Sequence, residues 1–394
     1  MERLIFHIDV NSAFLSWESV RRVKQGLPDL RSVPACIGGD PKKRTGIVVA
    51  KSIPAKKYGV QTGEPVAMAL RKCPDLVIAK SDFELYIKCS RAFKEICASY
   101  APVMESFSID EVFLDMTGTS LIYPDPVRTA HEIKDKIRNE LGFTVNVGIS
   151  TNKLLAKMAS DFEKPDKTHT LYQREIAQKM WPLPVSALFT CGHSSAETLH
   201  KLGILTIGDL AKTDPAILEA HLKSHGRCLW QYANGIDDST VVLAPSKAKG
   251  IGNSTTLSSD ATTKEEACKV LLSLCESVGR RLRASHQLAG QICTEIRYSD
   301  FRNVSHQMPI DIPTASVNLL YEDACALFDE LWDSTPIRLL GIRTSKLVPE
   351  DEPVQLSLFD FPAPRSEKQQ KLDAALDNIR AKYGKDAIKR GRFL

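Results

Sequence analysis

The sequence predicts an α+β chain built from more than one domain, and three observations carry that expectation. At 394 residues the chain exceeds what one ordinary core accommodates. Over the first 165 residues the hydrophobic periodicity runs strand, helix, acidic strand, helix, strand, an order in which helices back one face of a small sheet. After a stretch rich in Pro, Lys, Gly and Ser at 244–254, a second strand-and-helix series begins.

Residues 4–10 form a short apolar run ending near Asp9, the pattern of a buried strand. Ser12 is placed to cap a helix carrying Phe14, Leu15, Trp17 and Val20 on its apolar face. Residues 46–50 read as a strand, followed by three lysines, Lys51, Lys56 and Lys57, within a short span. Such a cluster is a solvated surface or, beside carboxylates, a match for nucleotide phosphates. Amphipathic helices are expected over 83–98 and 131–141, and a strand over 143–150.

The stretch 106–115 alternates strongly enough to read as one strand, with Phe107, Ile109, Phe113 and Leu114 supplying buried contacts. Asp110 and Glu111 interrupt it. Adjacent carboxylates in a low-dielectric strand require compensating positive charge, a divalent cation above all; the alternative is a strand running into a solvated acidic turn. Two strands of one sheet would bring Asp9 to this pair.

Composition narrows the partners. Lys and Arg exceed Asp and Glu by 52 to 48, a net charge of +4 that permits a polyanionic partner. The ten cysteines are scattered without a Cys-x-x-Cys pair, which indicates neither a zinc knuckle nor a disulfide framework and suits a reduced, cytoplasmic setting. His221 and His225 lack the glutamate of a metalloprotease helix and read as surface histidines. No signal peptide, membrane-spanning run or internal repeat is seen.

The Ile8-Asp9 strand end, Ser108-Ile109-Asp110-Glu111, and the segment from Val147 through Gly148, Ser150, Asn152 and Lys153 to Lys164-Pro165 occur in an order that resembles the Y-family, translesion DNA polymerases, nearest the bacterial DinB or UmuC-like branch. The resemblance covers nearly the whole chain. It implies a right-hand polymerase: palm at 1–10 and 75–165, small fingers at 11–74, a helix-hairpin-helix thumb at 166–243, a linker at 244–254, an α+β little finger at 255–348 and a tail at 349–394. It further implies that Asp9, Asp110 and Glu111 are catalytic and hold two Mg²⁺ ions. Phe14, Lys56 and Lys164 would bind the nucleotide, with Phe14 excluding ribose. Members of the family commonly carry Tyr-x-x-Arg where this chain has Ile53 and Lys56, and Gly-x-Gly where it has Thr190-Cys191-Gly192 before the helix bearing Ala196, Leu199 and Leu202. Lys56 keeps the charge but lacks the bidentate fork of Arg.

Arg280, Arg281, Arg283, Arg297, Arg302, Arg338 and Arg343 would give the little finger a phosphate-tracking surface. In the acidic, Pro-bearing tail, the apolar pentapeptide 355–359 cannot bury itself and reads as a docking peptide. Gln355, Leu356, Leu358 and Phe359 resemble the motif that binds the bacterial sliding clamp, and 366–394 reads as a basic helix with a loose end. The expected function is template-directed translesion DNA synthesis from primer-template DNA and deoxynucleoside triphosphates by a monomer. A catalytically inactive accessory protein binding DNA or the clamp would have lost the carboxylates; a nucleotide cyclase leaves the hairpin, the little finger and the tail peptide without purpose.

Overall fold

In chain order the first part of the protein contains β1 (Ile5–Val10), α1 (Ala13–Lys24), β2 (Ala35–Gly38), β3 (Val48–Lys51), α2 (Ile53–Lys57), α3 (Val66–Lys72), β4 (Val77–Ala79), α4 (Phe83–Ala98), β5 (Val103–Ser106), β6 (Glu111–Asp115), α5 (Pro126–Leu141), β7 (Val145–Ser150), α6 (Lys153–Ser160) and β8 (Thr168–Thr170). Five short helices follow: α7 (Ile176–Lys179), α8 (His193–Lys201), α9 (Ile207–Lys212), α10 (Pro215–Leu222) and α11 (Ser224–Ala233). The computed structural model describes residues 2–40, 44, 46–243, 248–352, 367–384 and 387–388. Contacts divide the chain into two units, Met1–Lys42 with Gly46–Pro245, and Lys43–Thr45 with Ser246–Leu394.

β1 is buried at every position because it lies in the middle of a five-stranded sheet ordered β5-β6-β1-β7-β8. It runs antiparallel to both neighbours, and β8 joins β7 in parallel. Alternation then assigns the faces. Phe6, Ile8 and Val10 join Leu15 and Trp17 of α1, Tyr86 and Phe93 of α4 and Ile133 and Ile137 of α5 in one core. Ile5 joins Phe113 and Ala156 on the opposite side, so His7 and Asp9 face α6. α6 can lie that close because of Gly148: a Cβ there would stand 2.0 Å from the Ala156 carbonyl oxygen and 2.5 Å from the Ser160 nitrogen. The smaller sheet β3-β2-β4 packs Cys36 and Val48 against Ala55, Val66 and Ala69 of α2 and α3.

The structure corrects the reading of 106–115. It is not one strand but the end of a hairpin, in which β5 and β6 pair from Val103↔Asp115 to Ser106↔Val112. Between them the Phe107 and Ser108 N–H groups both donate to the Glu111 carbonyl, at 3.1 and 3.2 Å. The Ser108 hydroxyl donates to Asp110 Oδ1 (2.7 Å) and accepts from the Asp110 N–H (3.2 Å), a local bonding pattern that favours turns over strands. Phe107 is therefore 43% exposed rather than core. Ser12 precedes α1, but at φ 47 its side chain makes no cap; the Ser16 hydroxyl instead donates to the Asn11 carbonyl (2.6 Å).

The second unit contains β9 (Gly250–Ala261), α12 (Lys264–Ala284), β10 (Gln287–Tyr298), β11 (Asn303–Thr314), α13 (Val317–Leu331), β12 (Ile337–Pro349) and α14 (Glu367–Tyr383). Its antiparallel sheet is ordered β11-β10-β12-β9. α12 and α13 cover one face through Leu271, Val278, Leu320 and Phe328 against Ile292, Ile296 and Leu340. The break expected at 244–254 is shorter than read, because β9 already pairs at Gly250↔Ser345 and buries Ile251. β11 was not legible: Pro309 speaks against a strand, but β11 lies at the sheet edge, beside a register shift at Ala289 and Gln291, where proline is tolerated. Arg283 does not join a phosphate-facing set, since its guanidinium pairs with Asp377 of α14 (2.7 Å) and donates to the Ala315 carbonyl (2.8 Å). None of the ten cysteines forms a disulfide, and among the described residues no helix is long and apolar enough to cross a membrane.

Candidate active site

Asp9 and Glu111 stand directly opposite each other in the β1–β6 register. The Val10 N–H extends that ladder by donating to the Asp110 carbonyl at 3.1 Å, so the turn carrying Asp110 is pinned beside Asp9. Three carboxylates from two distant segments thus reach the end of one strand pair, on or beside the face covered by α6. Asp9 is only 7% exposed, while Asp110 and Glu111 are half-buried.

Lysines compensate them. Lys164 Nζ donates to Asp9 Oδ2, and Lys157 Nζ donates to Glu111 Oε1. Lys164 also bonds Asp161 at 2.7 Å, and Lys157 lies 3.7 Å from the same carboxylate. One turn earlier on α6, Lys153 grips Glu105 at 2.7 Å. Burial pushes the Asp9 carboxyl from its ordinary 3.8 up to about 6; Lys164 opposes the rise and Glu111 adds to it. Burial works against the Lys164 ammonium too, but Asp9 and Asp161 outweigh it and hold its pKa up at about 12. Beneath the pair, His7 is fully buried, with Nδ1 2.8 Å from the Ser160 hydroxyl and Nε2 3.8 Å from Glu111 Oε1. Burial, then Lys157 and Lys164, keep this imidazole well below its ordinary pKa and therefore neutral.

The donor set suits a hard divalent cation, since it is dominated by three carboxylates, with the His7 imidazole behind Glu111. The raised pKa of Asp9 marks a place where negative charge remains under-compensated even with Lys164 in contact, which a cation would relieve. Among the described residues no three carboxylate, imidazole or thiolate groups already converge at ligating distance. Asp110 is turned onto Ser108, and Asp9 and Glu111 onto their lysines. To ligate one cation together, Asp110 would have to give up its bond with Ser108, and Asp9 or Glu111 its lysine.

The other expected residues are spread along the chain. Lys164 belongs to the carboxylate cluster. Phe14, on the helix that leaves β1, packs its ring 4.7 Å from Tyr86 and 6.0 Å from Phe83. Lys56 is exposed on α2 beside the small sheet, and among the described residues no ion pair joins it to Asp9, Asp110 or Glu111; Ile53, one turn earlier, is 54% exposed. Gln355, Leu356, Leu358 and Phe359 lie outside the described residues. At the turn before α8, Thr190 takes φ +69, the left-handed conformation that glycine adopts without steric penalty, and Gly192 is the N-cap of α8. Sequence reasoning missed Lys157 and His7, and named Lys153 without giving it a contact. A signal was present: Lys153, Lys157 and Asp161 recur every four residues, the spacing of one helix face.

The chain is similar to known proteins along its whole length. Residues 8–161 match the model of the impB/mucB/samB family, and residues 248–358 match the model of that family's C-terminal domain. DNA polymerase IV of Clostridium acetobutylicum is 48% identical over 397 residues, spanning 100% of this chain and 99% of the relative. DNA polymerase IV 1 of Bacillus subtilis is 37% identical over 396 residues, covering 100% of this chain and 93% of its own length. Among solved structures, a Y-family DNA polymerase chimera superposes with a TM-score of 0.76 at 22% identity, covering 88% of this chain and 99% of that one.

Proposed function

We propose a residue-level mechanism for this chain, which belongs to the impB/mucB/samB family and is a Y-family, translesion DNA-directed DNA polymerase. The observation that carries it is the meeting of Asp9 with Glu111 across β1 and β6, with Asp110 pinned at the adjoining turn. Asp9, Asp110 and Glu111 are the groups that would hold two divalent cations, read as Mg²⁺. Such ions lower the pKa of a primer 3′ hydroxyl and neutralise charge on the triphosphate during in-line displacement of pyrophosphate.

The chain's own residues do the rest. Lys164 exchanges its contact with Asp9 for a triphosphate oxygen, so that one ammonium stabilises the ligand-free carboxylate and the bound anion in turn. Lys157 restrains Glu111 from the α6 side, while neutral His7 adds no charge beneath it. Lys56 meets the triphosphate from the fingers as a point charge. Phe14, fixed by Tyr86 and Phe83, presents a wall against a 2′ hydroxyl. The little finger carries exposed Arg280, Arg281 and Arg343 for duplex phosphates, and Gln355, Leu356, Leu358 and Phe359 engage the bacterial sliding clamp. The enzyme acts as a cytoplasmic monomer.

Primer extension on a primed template tests the assignment. Asp9→Ala, Asp110→Ala and Glu111→Ala each abolish extension while duplex affinity is retained, because the carboxylates act on the cations and not on DNA. Extension at the wild-type rate by any one of them removes that residue from the site.

A further inference from the structure

Between the end of α6 at Ser160 and the start of β8 at Thr168, the segment carrying Lys164 forms no helix or strand. Such a loop holds a side chain in one place only when its backbone groups are bound from outside. Here two buried asparagines bind four of its backbone groups, beside the Lys134 ammonium on the Asp166 carbonyl and the Val147 N–H on the Lys167 carbonyl (2.9 Å). Asn146 is fully buried on β7, where it is the register partner of Asp9. Its Nδ2 donates to the carbonyls of Ser160 (2.9 Å) and Glu163 (2.6 Å), and its Oδ1 accepts from Asn11 Nδ2 (3.0 Å) and the Lys167 N–H (3.2 Å). That uses the amide's full capacity of two donors and two acceptors. Asn11, 8% exposed, accepts at Oδ1 from the Asp166 N–H (2.9 Å) and the Thr144 hydroxyl (3.0 Å). Lys164 thus sits inside a segment tied at Ser160, Glu163, Asp166 and Lys167.

We infer that Asn146 and Asn11 are positioning residues for nucleotide incorporation: they fix the 160–167 loop so that the Lys164 ammonium stands over Asp9, where the triphosphate is received. The inference rests on the reading of Lys164 as a triphosphate contact. Other side chains of similar size do not reproduce the arrangement. Aspartate loses both donors and adds a buried negative charge near Asp9 and Asp161; leucine leaves the backbone groups of the loop unbound in a buried place. Lys134, paired with Asp166 at 2.9 Å, holds the far side of the loop but bonds nothing between Asp161 and Lys164.

The test uses full-length protein and three variants: Asn146→Ala, Asn11→Ala and Lys164→Ala. First, amine acylation of DNA-free protein is followed at each lysine by peptide mass spectrometry, with exposed Lys56 as internal reference. In both asparagine variants, Lys164 labelling rises roughly three- to tenfold relative to Lys56, because the ammonium leaves its charge-assisted contacts. Second, single-nucleotide insertion is titrated with deoxynucleoside triphosphate. Asn146→Ala raises KM toward the level of Lys164→Ala, about tenfold, with kcat less affected, and adds nothing further when combined with Lys164→Ala. A purely structural role lowers thermal stability, leaves the Lys164 to Lys56 labelling ratio unchanged and multiplies with Lys164→Ala; that outcome overturns the inference. If Lys164→Ala leaves KM unchanged, the triphosphate reading of Lys164 fails, while the labelling ratio still decides whether the asparagines place it. Should Asn146→Ala not fold, Asn11→Ala keeps every bond from Asn146 to the loop, severs the Asp166 anchor and carries both readouts.

Discussion

Replacing Asp9 with asparagine should make the metal-free, DNA-free protein more stable while destroying its activity. Asp9 is buried, and its carboxyl is shifted from 3.8 to about 6, chiefly by burial, with Lys164 pulling down and Glu111 pushing up. A raised carboxylate pKa means that the folded state binds the proton more tightly than the unfolded chain. Stability contributed by Asp9 is therefore greatest when it is protonated, declines as pH rises through the window from 3.8 to about 6, and stays lost above it. Taking the difference between those values at about 1.36 kcal/mol per pH unit, the ionised Asp9 costs about 3 kcal/mol at pH 8. Asparagine keeps the shape without the charge, and Lys164 retains Asp161.

The assay is calorimetric melting in chelator at pH 8 and pH 5. At pH 8, Asp9→Asn should raise the unfolding transition of the first unit by an amount on the order of 5–10 °C. At pH 5 the gain should fall to roughly half, because much of the wild-type carboxyl is already neutral in the folded state. Adding Mg²⁺ with nucleotide should then stabilise the wild type and leave the variant nearly unmoved. A variant that melts at or below wild type at pH 8, or whose gain is the same at both pH values, refutes the claim that Asp9 is held at a cost for the sake of a cation.

Phe14→Ala should let ribonucleotides in, read as a rise in the ratio of ribonucleotide to deoxyribonucleotide insertion; an unchanged ratio in the folded variant assigns the ring to packing with Tyr86 and Phe83 alone. Thr190→Gly should stabilise the protein by about 1 kcal/mol in urea melts, since a β-branched residue at φ +69 is strained and glycine is not; a loss of stability means that the threonine side chain holds something in place. Combined Gln355→Ala, Leu358→Ala and Phe359→Ala should leave distributive extension intact and remove stimulation by a loaded sliding clamp, since burying two such apolar side chains is worth roughly 3–6 kcal/mol before ordering costs. Unaltered clamp affinity by calorimetry ends the partner assignment.

Much of this arrangement was legible in the chain because it follows from local periodicity. The buried run around Ile8 had to be a central strand, and the helix over 83–98 is found with those bounds. The acidic stretch was harder, because alternation of apolar and polar residues does not distinguish one strand from a strand and its turn. What separates them is Ser108, whose hydroxyl and two bonds to Asp110 compete with a continuing ladder. Pro309 obscures β11 for the opposite reason: its penalty depends on whether the strand has a partner on that side, which no local pattern states.

The residues that sequence left unseen share one property: their roles depend on register. Nothing in Phe143-Thr144-Val145-Asn146 marks Asn146 as more than a polar residue in a strand; only the pairing Asp9↔Asn146 puts its amide one strand from the acidic site. The spacing of Lys157 marks a helix face, but its partner is fixed only once Gly148 lets α6 settle against β7, which brings the lysine onto Glu111. Together these contacts explain how three carboxylates coexist in a folded protein before any substrate arrives. Two are paired with ammonium groups from one helix and the loop after it, and that loop is held by the amide of the strand alongside Asp9. On the proposed mechanism Lys164 would exchange Asp9 for a triphosphate oxygen, while Lys157 would keep its hold on Glu111.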